Sequence, residues 1–206
     1  MKTYPIMLNL HGRLAVVVGG GNVGLRKARS LRDAGADVKL VAGSADNSRG
    51  LSGLKVLAEP YRVEHRAGAA LVFACTDDTK LNSEIAADAR RIGALVNVAD
   101  TPDECDFFVP AVAGDGDVVL AVGTGGSAPA LARHLKEHLR RHLPRDTGKF
   151  AALLGSLRER AKKELPDPEK RRSLMERLAE NSTFELFVAK GPGAVAAMFD
   201  KLIAGL

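Results

Sequence analysis

The first half of this 206-residue chain predicts an α/β fold with a parallel, doubly wound sheet. Three observations predict it. Short apolar, β-branched runs recur along the chain, helical patterns separate them, and turn residues rich in Gly, Thr and Asp follow the strands. Past Pro102 the alternation stops, and two strands give way to helices that continue to the end.

Leu14 to Val18 is the first strand, an apolar run of the kind buried on both faces of a parallel sheet. Gly19, Gly21 and Gly24 follow at G-x-G-x-x-G spacing, with Asn22 and Val23 between the last two. Leu25 to Ala34 then reads as a helix, with Leu25, Ala28 and Leu31 on one face and Gly35 just past its end. Each glycine has a physical task in such a turn. Gly19 permits the tight bend, Gly21 admits a pyrophosphate to the backbone N–H groups, and Gly24 brings helix and strand together. The helix N-terminus adds orphan N–H groups and a positive dipole end. The expectation is a Rossmann-like dinucleotide site. A structural turn that binds no phosphate is the alternative.

Ala36 to Val41 is the second strand, ending at Ala42-Gly43-Ser44. An acidic residue usually meets the ribose there, yet Asp46 is the nearest carboxylate and no Arg stands ready for a 2′-phosphate. Gly43 and Ser44 are therefore the ribose candidates, and NAD against NADP stays open. Leu54 to Ala58 is a weak third strand. Ala70 to Cys75 is a strong fourth, ending at Thr76-Asp77-Asp78. Asn82 to Arg91 forms a helix, and Ala94 to Val98 is the fifth strand, ending at Ala99-Asp100-Thr101-Pro102. Ligands bind beyond the carboxyl ends of such strands. The glycine turn, Gly43-Ser44, Thr76 and Asp77, and Asp100 should therefore share one crevice. Asp77 and Asp78 suit a turn and a helix cap better than a catalytic pair.

Phe107 to Val112 and Val118 to Val122 read as strands around Gly114-Asp-Gly-Asp117. A second glycine loop, Gly123-Thr-Gly-Gly-Ser-Ala-Pro129, leads into a helix over Leu131 to Leu143. Thr124, Gly125, Gly126 and Ser127 make another anion-ready helix entry, in which ligand binding and plain capping are both open. On that helix His134, His138 and His142 repeat at four-residue spacing beside Leu131, Leu135 and Leu139. The surrounding Arg133, Lys136, Arg140 and Arg141 disfavour a cation site, so the row reads as a basic face, with a metal relay as the minor alternative. From Phe150 the chain is helical and charged, broken at Pro166-Asp-Pro168 and again at Lys190-Gly-Pro-Gly193.

The formal net charge of +5 favours an anionic partner. Aromatic content of only 4%, with no Trp, leaves few stacking platforms, which argues against single-stranded nucleic acid. No run reaches the length of a membrane span and no secretion signal is expected, and two cysteines fit a reduced cytoplasm better than a disulfide framework.

Taken in order, Tyr4-Pro-Ile, Leu8-Asn-Leu-His-Gly-Arg13, Val18-Gly-Gly-Gly-Asn-Val-Gly-Leu-Arg-Lys-Ala28, Thr76-Asp-Asp78, Asn97-Val-Ala-Asp100 and Gly125-Gly-Ser-Ala-Pro-Ala-Leu-Ala-Arg133 carry a specific resemblance. From Tyr4 to Pro144 the chain resembles the precorrin-2 dehydrogenase and sirohydrochlorin ferrochelatase family of sirohaem synthesis. The helical tail is only loosely similar. The resemblance implies an NAD-binding domain over 1–112, a small α+β dimerisation domain over 113–148 and a helical tetrapyrrole-binding domain over 149–206, in a homodimer. It implies precorrin-2, a tetrapyrrole with eight carboxylates, as substrate and sirohydrochlorin as product, with hydride passed to NAD and, in some members, Fe2+ then inserted as a second substrate. The family's aspartate falls on Asp100, so the resemblance implies an acid–base group there, the alternative being a cap on the turn at Thr101-Pro102. Thr124, Gly125, Gly126, Ser127 and Arg133 fall on its substrate-side motif. That motif often carries serines where this chain has Thr124 and Ala128, so one hydroxyl is lost, and phosphorylation at Thr124 is not carried over. A chelatase without dehydrogenase activity, and a non-catalytic NAD-sensing module, are the alternatives.

Overall fold

The structure is a computed structural model that describes residues 3–43 and 53–205. Ser44 and Asp46 lie outside the described residues. The chain divides into two compact units, Met1–Val109 and Pro110–Leu206.

The first unit is a five-stranded sheet in the order β3-β2-β1-β4-β5, parallel at every pairing. Its strands are β1 (Leu14–Val18), β2 (Asp37–Val41), β3 (Lys55–Leu57), β4 (Leu71–Ala74) and β5 (Leu95–Val98), and its helices are α1 (Asn22–Asp33) and α2 (Thr79–Arg91). Alternation along each strand makes two cores. Ala15, Val17, Val38, Leu40, Leu71 and Phe73 face α1 through Ala28 and Leu31, while Val16, Val18, Val72, Ala74, Val96 and Val98 face α2 through Ile85, Ala86 and Ala89. Strand order reverses between β1 and β4, and a ligand crevice opens there in such sheets.

The strand expected over Phe107 to Val112 begins only at Ala111. Pro110 has no N–H to donate. Upstream of it, the Phe107 ring packs edge-on against Phe73 with centroids 5.3 Å apart, and the Phe107 carbonyl accepts from Asn97 Nδ2 at 2.9 Å. This stretch covers the sheet instead of extending a ladder.

The second unit opens with a two-stranded antiparallel ribbon, β6 (Ala111–Asp115) and β7 (Val118–Val122), followed by α3 (Pro129–His142). Four helices complete it: α4 (Thr147–Glu164), α5 (Pro168–Leu178), α6 (Asn181–Lys190) and α7 (Pro192–Ala204). Their core gathers Phe150, Leu157, Ala161, Leu174, Leu178, Phe187, Val195 and Phe199. The break at Pro166-Asp-Pro168 becomes a helix start, with Asp167 accepting from Glu169 N at 2.8 Å. Among the described residues no helix is long and apolar enough to cross a membrane.

Candidate functional site

The glycine turn between β1 and α1 separates the three glycines by cause. Gly19 has φ of 117°, and a Cβ there would overlap the Cys75 carbonyl. A Cβ at Gly24 would overlap the Gly19 carbonyl, where α1 closes on the strand end. Gly21 has neither reason. Its backbone is extended, at φ −72° and ψ 176°, and among the described residues a Cβ there would meet nothing within 4 Å. The room above it is what its glycine preserves.

Gly21 is also the N-cap of α1, with no side chain capping the helix and no acidic residue in the first turn. The first intrahelical bond runs from Leu25 N to Gly21 O at 3.0 Å. The N–H groups of Asn22, Val23 and Gly24 are thus left at a positive helix end. An uncapped helix start over open space fits a dinucleotide pyrophosphate.

The neighbouring strand ends are held by backbone and side-chain bonds. Gly19 N donates to Val41 O at 2.9 Å, Cys75 N to Val18 O at 2.8 Å, and Ala99 N to Ala74 O at 2.8 Å. Beyond β4, Thr76 donates from N (3.1 Å) and Oγ1 (2.7 Å) to Asn82 Oδ1, and Asn82 Nδ2 returns a bond to Thr76 O at 2.9 Å. Asn82 is 3% exposed. It fixes the loop that holds Thr76 and Asp77, a role that the strand-and-turn pattern did not reveal. Asp78 caps α2 by accepting from Leu81 N at 3.1 Å, as expected of a cap, while Asp77 is exposed. Gly43, just past the end of β2, is exposed, and among the described residues nothing lies within 4 Å of a Cβ built there.

Asp100 follows β5 with φ of 59°, a left-handed conformation that Asp tolerates better than most residues. It is exposed, and among the described residues its carboxylate makes no hydrogen bond or ion pair. The 3-10 turn Pro102–Glu104 has Thr101 at its N-cap and no side-chain capping bond, so Asp100 does not cap it. Behind the turn, Cys105 Sγ accepts from Val98 N at 3.2 Å, and Asn97 ties the following segment down. Burial raises the thiols of both Cys105 and Cys75, the latter to about 11, which leaves them protonated and unreactive at neutral pH.

Gly19, Gly21, Asn22, Val23, Gly24, Gly43, Thr76, Asp77 and Asp100 therefore share the carboxyl edge of one sheet. Thr124, Gly125, Gly126, Ser127 and Arg133 belong to the second unit. In their loop, Gly125 and Gly126 take φ of 60° and 84°, Ser127 Oγ donates to Thr124 O at 2.6 Å, and Thr124 Oγ1 accepts from Ala128 N at 3.2 Å. Arg133 is exposed on α3. The rings of His138 and His142 lie with centroids 4.4 Å apart, tilted by 46°, and His142 Nδ1 lies 2.9 Å from the His138 carbonyl. Among the described residues no cluster of three metal-ligating side chains occurs.

Both units resemble known proteins. Residues 6–111 match a family model described as "Putative NAD(P)-binding", and residues 146–203 match one described as "Sirohaem synthase dimerisation region". A sirohaem synthase of Pseudomonas paraeruginosa (strain DSM 24068 / PA7) is 38% identical over 209 residues, covering 100% of this chain and 45% of the relative. One from Methylococcus capsulatus is 39% identical over 192 residues, covering 90% of this chain and 40% of the relative. This chain thus spans less than half the length of these relatives. A solved structure titled "SirC, precorrin-2 dehydrogenase" superposes with a TM-score of 0.78 at 21% identity, covering 97% of this chain and 100% of that one, a likeness of fold. With half its length matched by the first model, and the sirohaem synthase dimerisation region following in order, the chain belongs to the NAD(P)-binding family which that first model describes.

Proposed function

We propose that this chain dehydrogenates precorrin-2 to sirohydrochlorin with NAD as the hydride acceptor. The observation that carries the reading is the unpaired carboxylate of Asp100 on the carboxyl edge that also bears the glycine turn. A bound nicotinamide supplies the hydride acceptor, and the remaining roles fall to side chains and backbone. Asn22, Val23 and Gly24 present N–H groups to the pyrophosphate across Gly19 and Gly21, and Gly43 and Ser44 meet the ribose. Thr76 and Asp77 border the nicotinamide half. Asp100 takes the proton that the tetrapyrrole loses as hydride departs. In the second unit Thr124, Gly125, Gly126, Ser127 and Arg133 offer hydroxyl, N–H and guanidinium donors to substrate carboxylates.

The same carboxylate can accept pyrrole N–H protons when Fe2+ is inserted as a substrate, so ferrochelation is the companion activity to test. In this reading residues 1–112 hold the cofactor, 113–148 make the homodimer and 149–206 cover the tetrapyrrole. The free cysteines Cys75 and Cys105 fit a reducing cytoplasm.

The test follows absorbance of precorrin-2 generated in situ, with and without NAD+. Sirohydrochlorin formed only with NAD+ supports dehydrogenation, and Asp100→Asn, which keeps a side chain that accepts the left-handed turn, should lower kcat by about a hundredfold or more with little change in NAD+ affinity. Substrate binding without NAD+-dependent turnover would replace this reading with a chelatase or a non-catalytic binding module. Adding Fe2+ to the same sample measures that activity directly.

A further inference from the structure

One side chain of α1 is explained neither by the helix's amphipathic pattern nor by the dinucleotide fingerprint. Lys27 stands three residues after Gly24 and four before Leu31, both buried, and so lies on the stripe that faces the sheet. Its side chain is half-buried, with the ammonium 5.4 Å from the centre of the Phe73 ring. Phe73 belongs to β4 and, two residues before Cys75, shares its face of the sheet. Among the described residues no carboxylate pairs with Lys27, and its ammonium donates no hydrogen bond.

Two other cations of this unit have oxygen partners. Lys39 donates to the His65 carbonyl at 2.9 Å, and Arg90 reaches the Glu104 carbonyl at 2.7 Å and Asp106 at 3.3 Å. Among the described residues Lys27 has the ring face of Phe73, with the thiols of Cys75 and Cys105 as electrostatic neighbours. Burial holds its pKa below the ordinary lysine range, and the thiols that would offset this are themselves held in their neutral form. A cation drawn partly out of water without a counter-charge is unfavourable unless a ligand brings one. The position suits a ligand. Lys27 lies over β4, beside the β1–β4 reversal, and Arg26 and Asp100 both act electrostatically on the same Cys75.

We propose that Lys27 is a ligand-binding residue whose ammonium, over the β4 side of the crevice, receives an oxyanion of the bound ligand. The oxyanion is a carboxylate of the tetrapyrrole or a phosphate of the dinucleotide. The inference rests on the functional reading above and adds a contact to the same site.

The experiment titrates wild type, Lys27→Met and Lys27→Arg separately with NAD+ and with sirohydrochlorin, and records Tm for each. Methionine keeps the length and the contact with Phe73 but removes the charge. The expected result is affinity about tenfold weaker for one ligand in Lys27→Met, an unchanged or higher Tm, and recovery in Lys27→Arg. Loss in the sirohydrochlorin titration identifies the carboxylate, and loss in the NAD+ titration identifies the phosphate. Equal affinities for both ligands in wild type and Lys27→Met overturn the proposal. So does a drop in Tm with affinities lost alike in both variants, which marks a packing role. A wild-type chain that binds neither ligand overturns the functional reading and this inference together.

Discussion

Single residues decide how the crevice works, and the three glycines of the turn separate fold from function. Gly24→Ala drives a methyl group into the Gly19 carbonyl, a backbone atom that cannot yield without moving α1 off the sheet. The expected loss of stability is about 2–4 kcal/mol, read as a lower urea midpoint. Gly21→Ala places the same methyl in open space on an extended backbone. Stability should stay within about 0.5 kcal/mol of wild type, while NAD+ affinity falls about tenfold because the methyl occupies the phosphate's place. If both variants lose stability and affinity in parallel, Gly21 serves the fold and the phosphate assignment fails. The spacing of these glycines was legible in the sequence, but their different causes were not, because only coordinates show what each missing Cβ would meet. Asp100 repeats the point. A carboxylate after a strand is readable, whereas its left-handed φ and its lack of a capping bond depend on how β5 leaves the sheet.

At the scale of elements, the parallel sheet was readable because each strand is an unbroken apolar run followed by a turn signal, and its two cores are the two alternating faces of those runs. Two elements hid for physical reasons. Helix α6 buries only Thr183 and Phe187, so its ten residues carry little amphipathic period. Phe107 and Phe108 resemble a strand, yet the first is spent on covering Phe73. The α2 start went the same way. It lies at Thr79 rather than Asn82, because Asn82 is an inward-facing helical residue that ties down the preceding loop. Asn82→Ala therefore leaves the Thr76 N–H and carbonyl without partners beside a buried helix face. The expected cost is about 2–3 kcal/mol, together with weaker NAD+ binding as the loop loses its anchor. Asp78→Ala removes one capping bond from an exposed position and should cost about 1 kcal/mol. Chemical denaturation of both variants alongside NAD+ titration checks the ordering. Equal losses would mean that Asn82 does no more than a cap.

At the scale of the whole molecule, a row of apolar side chains in the second unit stands exposed. Leu131, Leu135 and Leu139 recur at four-residue spacing on α3 and are 50%, 39% and 43% exposed. The ribbon adds Val112 at 52% and Val119 at 46% on its solvent side. A two-stranded ribbon is marginal alone, and an apolar row of this kind is ordinarily buried against a partner. The charged neighbours Arg133, Lys136, Arg140 and Arg141 would keep such a row soluble at its rim without covering it. A homodimer through this surface places the contact at residues 112–139, whereas the family description assigns dimerisation to 146–203. One substitution separates the two. Leu135→Glu puts a carboxylate at the centre of the row, where it faces its symmetry mate across a two-fold interface, and the like charges oppose association. The α4–α7 core, centred on Leu157, Leu178 and Phe199, is untouched by the change. Sedimentation should give the mass of two chains for wild type and one for Leu135→Glu at micromolar concentration, with a Tm that rises with concentration only in the wild type. A variant that still sediments as two chains moves the interface to the helices after α3, and the exposed row then has to be explained by substrate or by a further segment of a longer protein.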